Sequence, residues 1–243
     1  MGNKNVKNDS SAFTCMRLIR DGDRYQRQVV YLENITESIE SSRLAIRLKQ
    51  LYNDFEADYV VVDTMGQGIG VFDALAGLLY DEDRDEDYEP WISMNDESMN
   101  ERIKAKGKPI IYSMKANAAL NNDFAIQLKS ALEKRYIDLP INDIVRREEL
   151  IAEGGFLKLS PEEKQRSLSV YQATSALQSE LVALEYEIQG GNIKIKEVGS
   201  ATKDRYSSIS YCNWYAGQLE VELRNDGETD WGAYFFMSGG REG

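Results

Sequence analysis

Asp58-Tyr59-Val60-Val61-Val62-Asp63-Thr64-Met65-Gly66-Gln67-Gly68-Ile69-Gly70 is the stretch from which the fold is read. Its uncharged β-branched middle predicts a strand buried on both faces. The strand ends in a carboxylate and three alternating glycines follow. Val71, Phe72, Leu75, Leu78 and Leu79 then recur at helical spacing, so the unit reads strand, tight turn, helix. In an open α/β sheet, chemistry gathers at the carboxyl ends of strands, where Asp63 stands. Three readings of that position compete. The glycine turn could cradle a phosphate on backbone N–H groups, although that fingerprint wants its acid after the glycines. Asp63 could instead ligate a divalent cation as a hard oxygen donor, or simply cap the following helix.

Outward from this unit, the order of elements predicts an α/β domain with a mixed sheet. Ala12–Ile19 and Gln28–Leu32 read as antiparallel strands joined through Arg20-Asp21-Gly22-Asp23. Leu44, Leu48, Leu51, Tyr52 and Phe55 mark an amphipathic helix. Asp81 to Glu89 is an acidic run, expected as a solvated loop or a DNA-repelling or partner-binding rim. Pro109–Ser113 reads as a strand, Ala118 to Leu132 as a helix ending near Lys134-Arg135, and Tyr136–Pro140 as extended. Leu150–Leu159 is a connector broken at Gly154-Gly155. Ser160-Pro161-Glu162-Glu163 starts a largely polar helix reaching roughly Glu187. Gly190-Gly191-Asn192 turns into a strand over Ile193–Val198. Thr202-Lys203-Asp204-Arg205-Tyr206 opens a helix with Ile209, Cys212, Ala216 and Leu219 on one face, where Asp204 is either a functional acid or a cap. Turn residues are expected past Leu223, then an apolar, aromatic tail from Trp231 to Met237.

Composition excludes several chemistries. The 243 residues contain no histidine, which removes His-based triads, imidazole bases and His-ligated zinc. With Cys15 and Cys212 the only cysteines, any metal site must be built from oxygen, and the cysteine count fits a reducing cytoplasm. The polar N-terminus has no signal-peptide core, and no apolar run reaches membrane-spanning length. A net charge of −12 gives no global field toward nucleic acid, and no P-loop motif occurs.

This order, with Val60-Val61-Val62-Asp63-Thr64-Met65-Gly66-Gln67-Gly68 and Lys203-Asp204-Arg205-Tyr206-Ser207-Ser208, resembles the C-terminal nuclease domain of tailed-phage terminase large subunits, in the RNase H-like superfamily. Asn122, Phe124, Leu128 and the Tyr136–Pro140 exit add to the resemblance, which runs from about Asn8 to Leu223. It implies an RNase H-like domain over residues 1–225, with a helical insertion at 141–190 and a C-terminal tail at 226–243. It further implies a phage or prophage endonuclease that cuts concatemeric double-stranded DNA in the host cytoplasm during genome packaging. Two Mg²⁺ or Mn²⁺ ions would be held by acids matching Asp63 and Asp204, with Asp9 as an auxiliary ligand and Lys203 on a phosphate. The implied partners are DNA, the small terminase subunit, the portal and an upstream ATPase domain or N-terminal segment, with no membrane. The family's first acid lies on a first strand, in an Asp-[Ile/Val]-Ala segment, that would precede Met1, so that central strand is expected to be missing. A catalytically incomplete RNase H-like module that only binds a partner is the alternative, as is another RNase H-like nuclease such as a resolvase.

Overall fold

A computed structural model describes residues 10–37, 39–104, 106–197 and 202–238, with side chains as far as Asn225. It is mixed α/β, as expected, but its strands do not form one sheet. β1 (Ser11–Asp21) and β2 (Arg24–Ile35) form a long antiparallel hairpin. Gly22 takes the positive φ, 64°, that the first central position of a primed hairpin turn requires. β2 carries an extra residue, Val30, opposite Cys15/Met16. α1 (Ser41–Asp54) leads to β3 (Val60–Asp63), the glycine turn and α2 (Gly68–Leu75).

The next segment is a short hairpin, β4 (Leu79–Asp81) and β5 (Glu86–Tyr88), followed by β6 (Trp91–Ser93), α3 (Glu97–Ile103) and β7 (Lys108–Met114). α4 (Ala118–Glu133), β8 (Ile137–Asp138), α5 (Asp143–Glu153), a 3₁₀ turn (Phe156–Lys158) and α6 (Pro161–Ala183) come next. The chain closes with a hairpin of β9 (Glu185–Gln189) and β10 (Asn192–Lys196), then α7 (Asp204–Ser238).

One sheet has the order β1-β2-β8 and the other β3-β7-β6, the second entirely parallel. Each has its own core. Val29, Leu32, Leu128, Ile137, Leu177 and Ile209 fill the first, and Ala45, Val62, Phe72, Leu75, Trp91 and Ile111 the second. Two helices tie the sheets together. Arg47 of α1 donates to Glu33 and Tyr31 of β2 (both 2.8 Å), while Ala45 packs with Val62 of β3. On the other side, Ser208 of α7 donates to Thr14 of β1 (2.8 Å), and Tyr215 packs on Tyr59 and Tyr112. Side chains alternate along a strand. The register therefore puts α1 and α7 on opposite faces: Phe13 and Cys15 lie across from Glu33 and Tyr31, and Thr14 across from Leu32.

Several sequence expectations are corrected. Val62 is buried, but Val60 and Val61 are only half-buried, because β3 is the end strand of its sheet. The helix after the glycines stops at Leu75; Gly77 breaks it, Leu78 is exposed and Leu79 begins β4. The acidic run is a folded hairpin. Asp81 is 2% exposed and accepts from Gln50, Tyr88 and the Asp83 N–H, while Arg84 pairs with Asp54. Burial works against the Asp81 carboxylate, but those donors outweigh it and hold its pKa below the ordinary value. Residues 150–153 belong to α5 rather than a connector, and α6 ends at Ala183, before a strand. The backbone stays helical past Leu223 to Ser238. Val198 lies outside the described residues. No helix among them is long and apolar enough to cross a membrane.

Three titratable side chains withdrawn from water set an expected pH profile. Lys49 is 1% exposed, donates to the Glu89 carbonyl at 2.6 Å and sits 3.5 Å from the Trp91 ring centre. Burial pulls its pKa down to about 7, against the upward pull of Glu89. The unfolded chain then holds this proton more firmly between pH 7 and 10.5, so stability rises with pH across that window. Cys15 and Cys212 act oppositely. Burial raises both from 9.0 to about 12, so the stability they contribute is lost as pH climbs above 9. Urea unfolding is expected to show maximal stability near pH 8 to 9, with a rise of about 1–2 kcal/mol from pH 7. Lys49→Met should flatten the rising limb alone; an unchanged limb in that variant would refute the assignment.

Candidate functional site

A cleft of about 1370 Å³ is lined by β1 and β3, each the end strand of its sheet among the described residues. Asp63, Lys203 and Asp204 all line it, so two carboxylates 141 residues apart reach one cavity, one from a strand tip and one from a helix start. Asp9 lies outside the described residues. Asp63 is held on both oxygens: Oδ1 accepts from the Met65 N–H (3.0 Å) and Oδ2 from the Tyr211 hydroxyl (3.0 Å). The first bond is an Asx-type turn contact, not a cap on α2. Thr64 fixes the turn by donating its N–H (2.9 Å) and its hydroxyl (3.2 Å) to the Met114 carbonyl.

The phosphate-cradle reading of the glycines meets an obstacle in this geometry. The N–H groups of Gly68, Ile69 and Gly70 donate to the carbonyls of Met65, Gly66 and Gln67. They are already spent inside the turn, so none is free to point at an anion.

Asp204 is the first residue of α7, and its Oδ2 accepts from the Ser10 hydroxyl. The helix start is pinned by Glu180 of α6, which accepts from the Tyr206 N–H (2.7 Å) and from Arg205 (3.1 Å). Burial raises the Glu180 pKa, and those two donors oppose the rise. Tyr211 follows Asp204 by seven residues, about 10 Å along the helix axis, so α7 sets the spacing of the two acids. Phe124 backs the Tyr211 ring at 5.1 Å, edge-on. Burial first, and then the Asp63 charge, push the Tyr211 pKa well above the ordinary tyrosine value, so it remains a donor at neutral pH. The Asn122 side chain accepts from the Ile193 N–H (3.0 Å), fastening the β9–β10 hairpin to α4 beside the cleft.

Ser10, Glu180 and Tyr211 escaped the sequence reading. Only Tyr211 left a signal there, two helical turns from Asp204 on the same side of α7. As a donor set, two carboxylates suit Mg²⁺ or Mn²⁺, since Mg²⁺ binds through one or two carboxylates and keeps several waters. Among the described residues, however, no three of His, Cys, Asp and Glu come together to hold a metal. Comparison with protein-family models, curated proteins and solved structures gives no match.

Proposed function

We propose that the cleft mouth is half of a metal-dependent phosphodiesterase site, and that the chain is the nuclease part of an RNase H-like terminase large subunit. The reading is supported chiefly by one observation: Asp63 and Asp204 line the same cavity from a strand end and a helix start. When bound, the divalent ions would supply an activated water and stabilise the leaving 3′ oxygen of an in-line displacement. Asp63 and Asp204 would hold them. Tyr211 fixes one Asp63 oxygen, and the Ser10 hydroxyl fixes one Asp204 oxygen, Oδ2, which leaves each carboxylate with acceptor sites for a metal. Lys203 would neutralise a DNA phosphate. The expected context is cytoplasmic packaging of concatemeric phage DNA. With a charge of −12 the chain would bind DNA weakly, leaving localisation to the motor domain, small subunit and portal. A second reading, a partner-binding module without catalysis, is favoured by the lack of a third acid among the described residues.

The deciding experiment incubates supercoiled plasmid with the chain and Mn²⁺, beside Asp63→Ala and Asp204→Ala. The nuclease reading expects Mn²⁺-dependent nicking that falls at least about a hundredfold in each variant, the loss of roughly 3 kcal/mol of transition-state stabilisation. Circular dichroism melts establish that both variants fold. No nicking at any metal concentration would leave the binding module as the better reading.

A further inference from the structure

We infer that the open face of α5 is a docking surface for a second copy of this chain, with the two α5 helices lying parallel about a two-fold axis. The inference rests on the side chains of α5 and is independent of any nuclease chemistry.

Only one side of α5 is tied to the body of the molecule. Asp143 accepts from the Ser175 hydroxyl (2.5 Å) and its N–H donates back to the same oxygen (3.3 Å). Arg146 lies over the Tyr171 ring and donates to Glu149 (2.8 Å) and Glu153 (3.0 Å), so its charge is already answered. Leu150 completes this side and is half-buried. No residue of the helix is buried outright. About a third of a turn round the helix, Ile144 and Ile151 are 67% and 41% exposed. Being seven residues apart, they form one seam with about 10 Å between its two layers. Two exposed isoleucines would need no explanation by themselves. The charges set between them do.

Those charges name the occupant. Arg147 and Glu148 lie between the isoleucines along the axis, about 50° to either side of the seam. Both are exposed, and among the described residues neither side chain has a hydrogen bond or an ion pair. Two copies can bring their seams together in two ways. An antiparallel pair has its two-fold axis across the helices and keeps each flank on its own side. Arg147 would then meet the partner's Arg147, and Glu148 the partner's Glu148. A parallel pair has its axis along the helices and exchanges the flanks. Arg147 then faces the partner's Glu148 and Glu148 the partner's Arg147, while each isoleucine packs on its own counterpart. One short sequence thus supplies both halves of a matched surface, as an isologous contact requires. The contact is small, so the pair belongs to the weak, transient class and is best caught by cross-linking.

The test uses the full chain carrying Ile144→Cys or Ile151→Cys, treated with oxidised glutathione and read as covalent dimer on non-reducing gels. The parent, whose Cys15 and Cys212 are not exposed, supplies the background. In a parallel pair each new thiol meets its own counterpart within disulfide reach, so each variant alone should link at least about tenfold faster than the parent. Adding Arg147→Glu or Glu148→Arg to Ile144→Cys sets like charges against each other and should slow linkage about fivefold. Mixing those two charge variants pairs opposite charges again and should restore the rate to within about twofold. Circular dichroism melts check that every variant folds. Linkage only on mixing the Ile144→Cys and Ile151→Cys chains would mean an antiparallel pair. Linkage no faster than the parent, or charge reversals without effect, would mean that this face meets no second copy. Each of these results overturns the proposal. No readout involves DNA or metal, so a failed nicking assay leaves the result untouched.

Discussion

Gly68→Ala is expected to destabilise the protein by more than about 4 kcal/mol, the range reserved for a small set of drastic substitutions. A methyl group on the Gly68 Cα would lie 1.6 Å from the carbonyl oxygen of Asp63 and 2.8 Å from its carbonyl carbon. Both are backbone atoms, so no rotamer change relieves the clash. Either the turn or the end of β3 must move. Moving Asp63 breaks its bonds to Met65 and Tyr211, so the cleft mouth is lost with the stability. The two flanking glycines supply controls. Gly66 has φ +55° with open space around it, so Gly66→Ala carries only the left-handed penalty of about 1–2 kcal/mol. Gly70→Ala meets the Ser41 hydroxyl at 2.8 Å, a side chain that can rotate away, and should cost less than Gly68→Ala. Urea titrations of the three variants check the order. A Gly68→Ala midpoint equal to that of Gly66→Ala would refute the close approach.

Those glycines also mark what could be read in advance. Their alternation announced a tight turn after a strand, yet each is glycine for a different physical reason, and two of the three reasons involve backbone or side chains outside the turn. Local rules worked where the stabilising partner is local. The Gly22 hairpin formed, and Ser160 and Glu163 make both bonds of a capping box. The rules failed where the partner is distant. The acidic run looks solvated because seven of its nine residues are acids, but Asp81 is made tolerable by Gln50, 31 residues earlier, and Arg84 by Asp54. β6 is three residues long and has no periodicity to detect. Placing Asp63 and Asp204 at one cleft depends on α7 crossing from the first sheet to the second, which spacing along the chain does not encode. The division into two sheets is likewise a matter of which edges pair, and the run Val60–Val62 reads the same whether or not a strand lies beside it.

The helix that makes this crossing is anchored by a buried ion pair, and Glu220→Ala should cost about 3–5 kcal/mol. Arg27 of β2 donates to Glu220 of α7 at 2.8 Å, with side chains only 7% and 12% exposed. The same Glu220 oxygen accepts from the Tyr25 N–H at 3.0 Å. Burial depresses the Arg27 pKa, and the Glu220 charge is the main force opposing that. Arg27 also has its Nε buried without a hydrogen-bond partner, so it has little to fall back on. Removing Glu220 therefore strands a guanidinium in a dry site, and the cost is that of an uncompensated charge, not of one lost bond. The double variant Arg27→Met/Glu220→Leu removes both charges and should recover most of the loss, ending within about 2 kcal/mol of the parent. Urea unfolding of the two singles and the double closes the cycle. Near-additive losses would mean that α7 is held by its apolar face alone, through Ile209 and Ala216. A strong coupling would mean that the position of Asp204 and Tyr211 over the cleft is set by a charge pair further along α7, on the opposite side of the helix, so that Glu220→Ala loosens the cleft mouth without touching it.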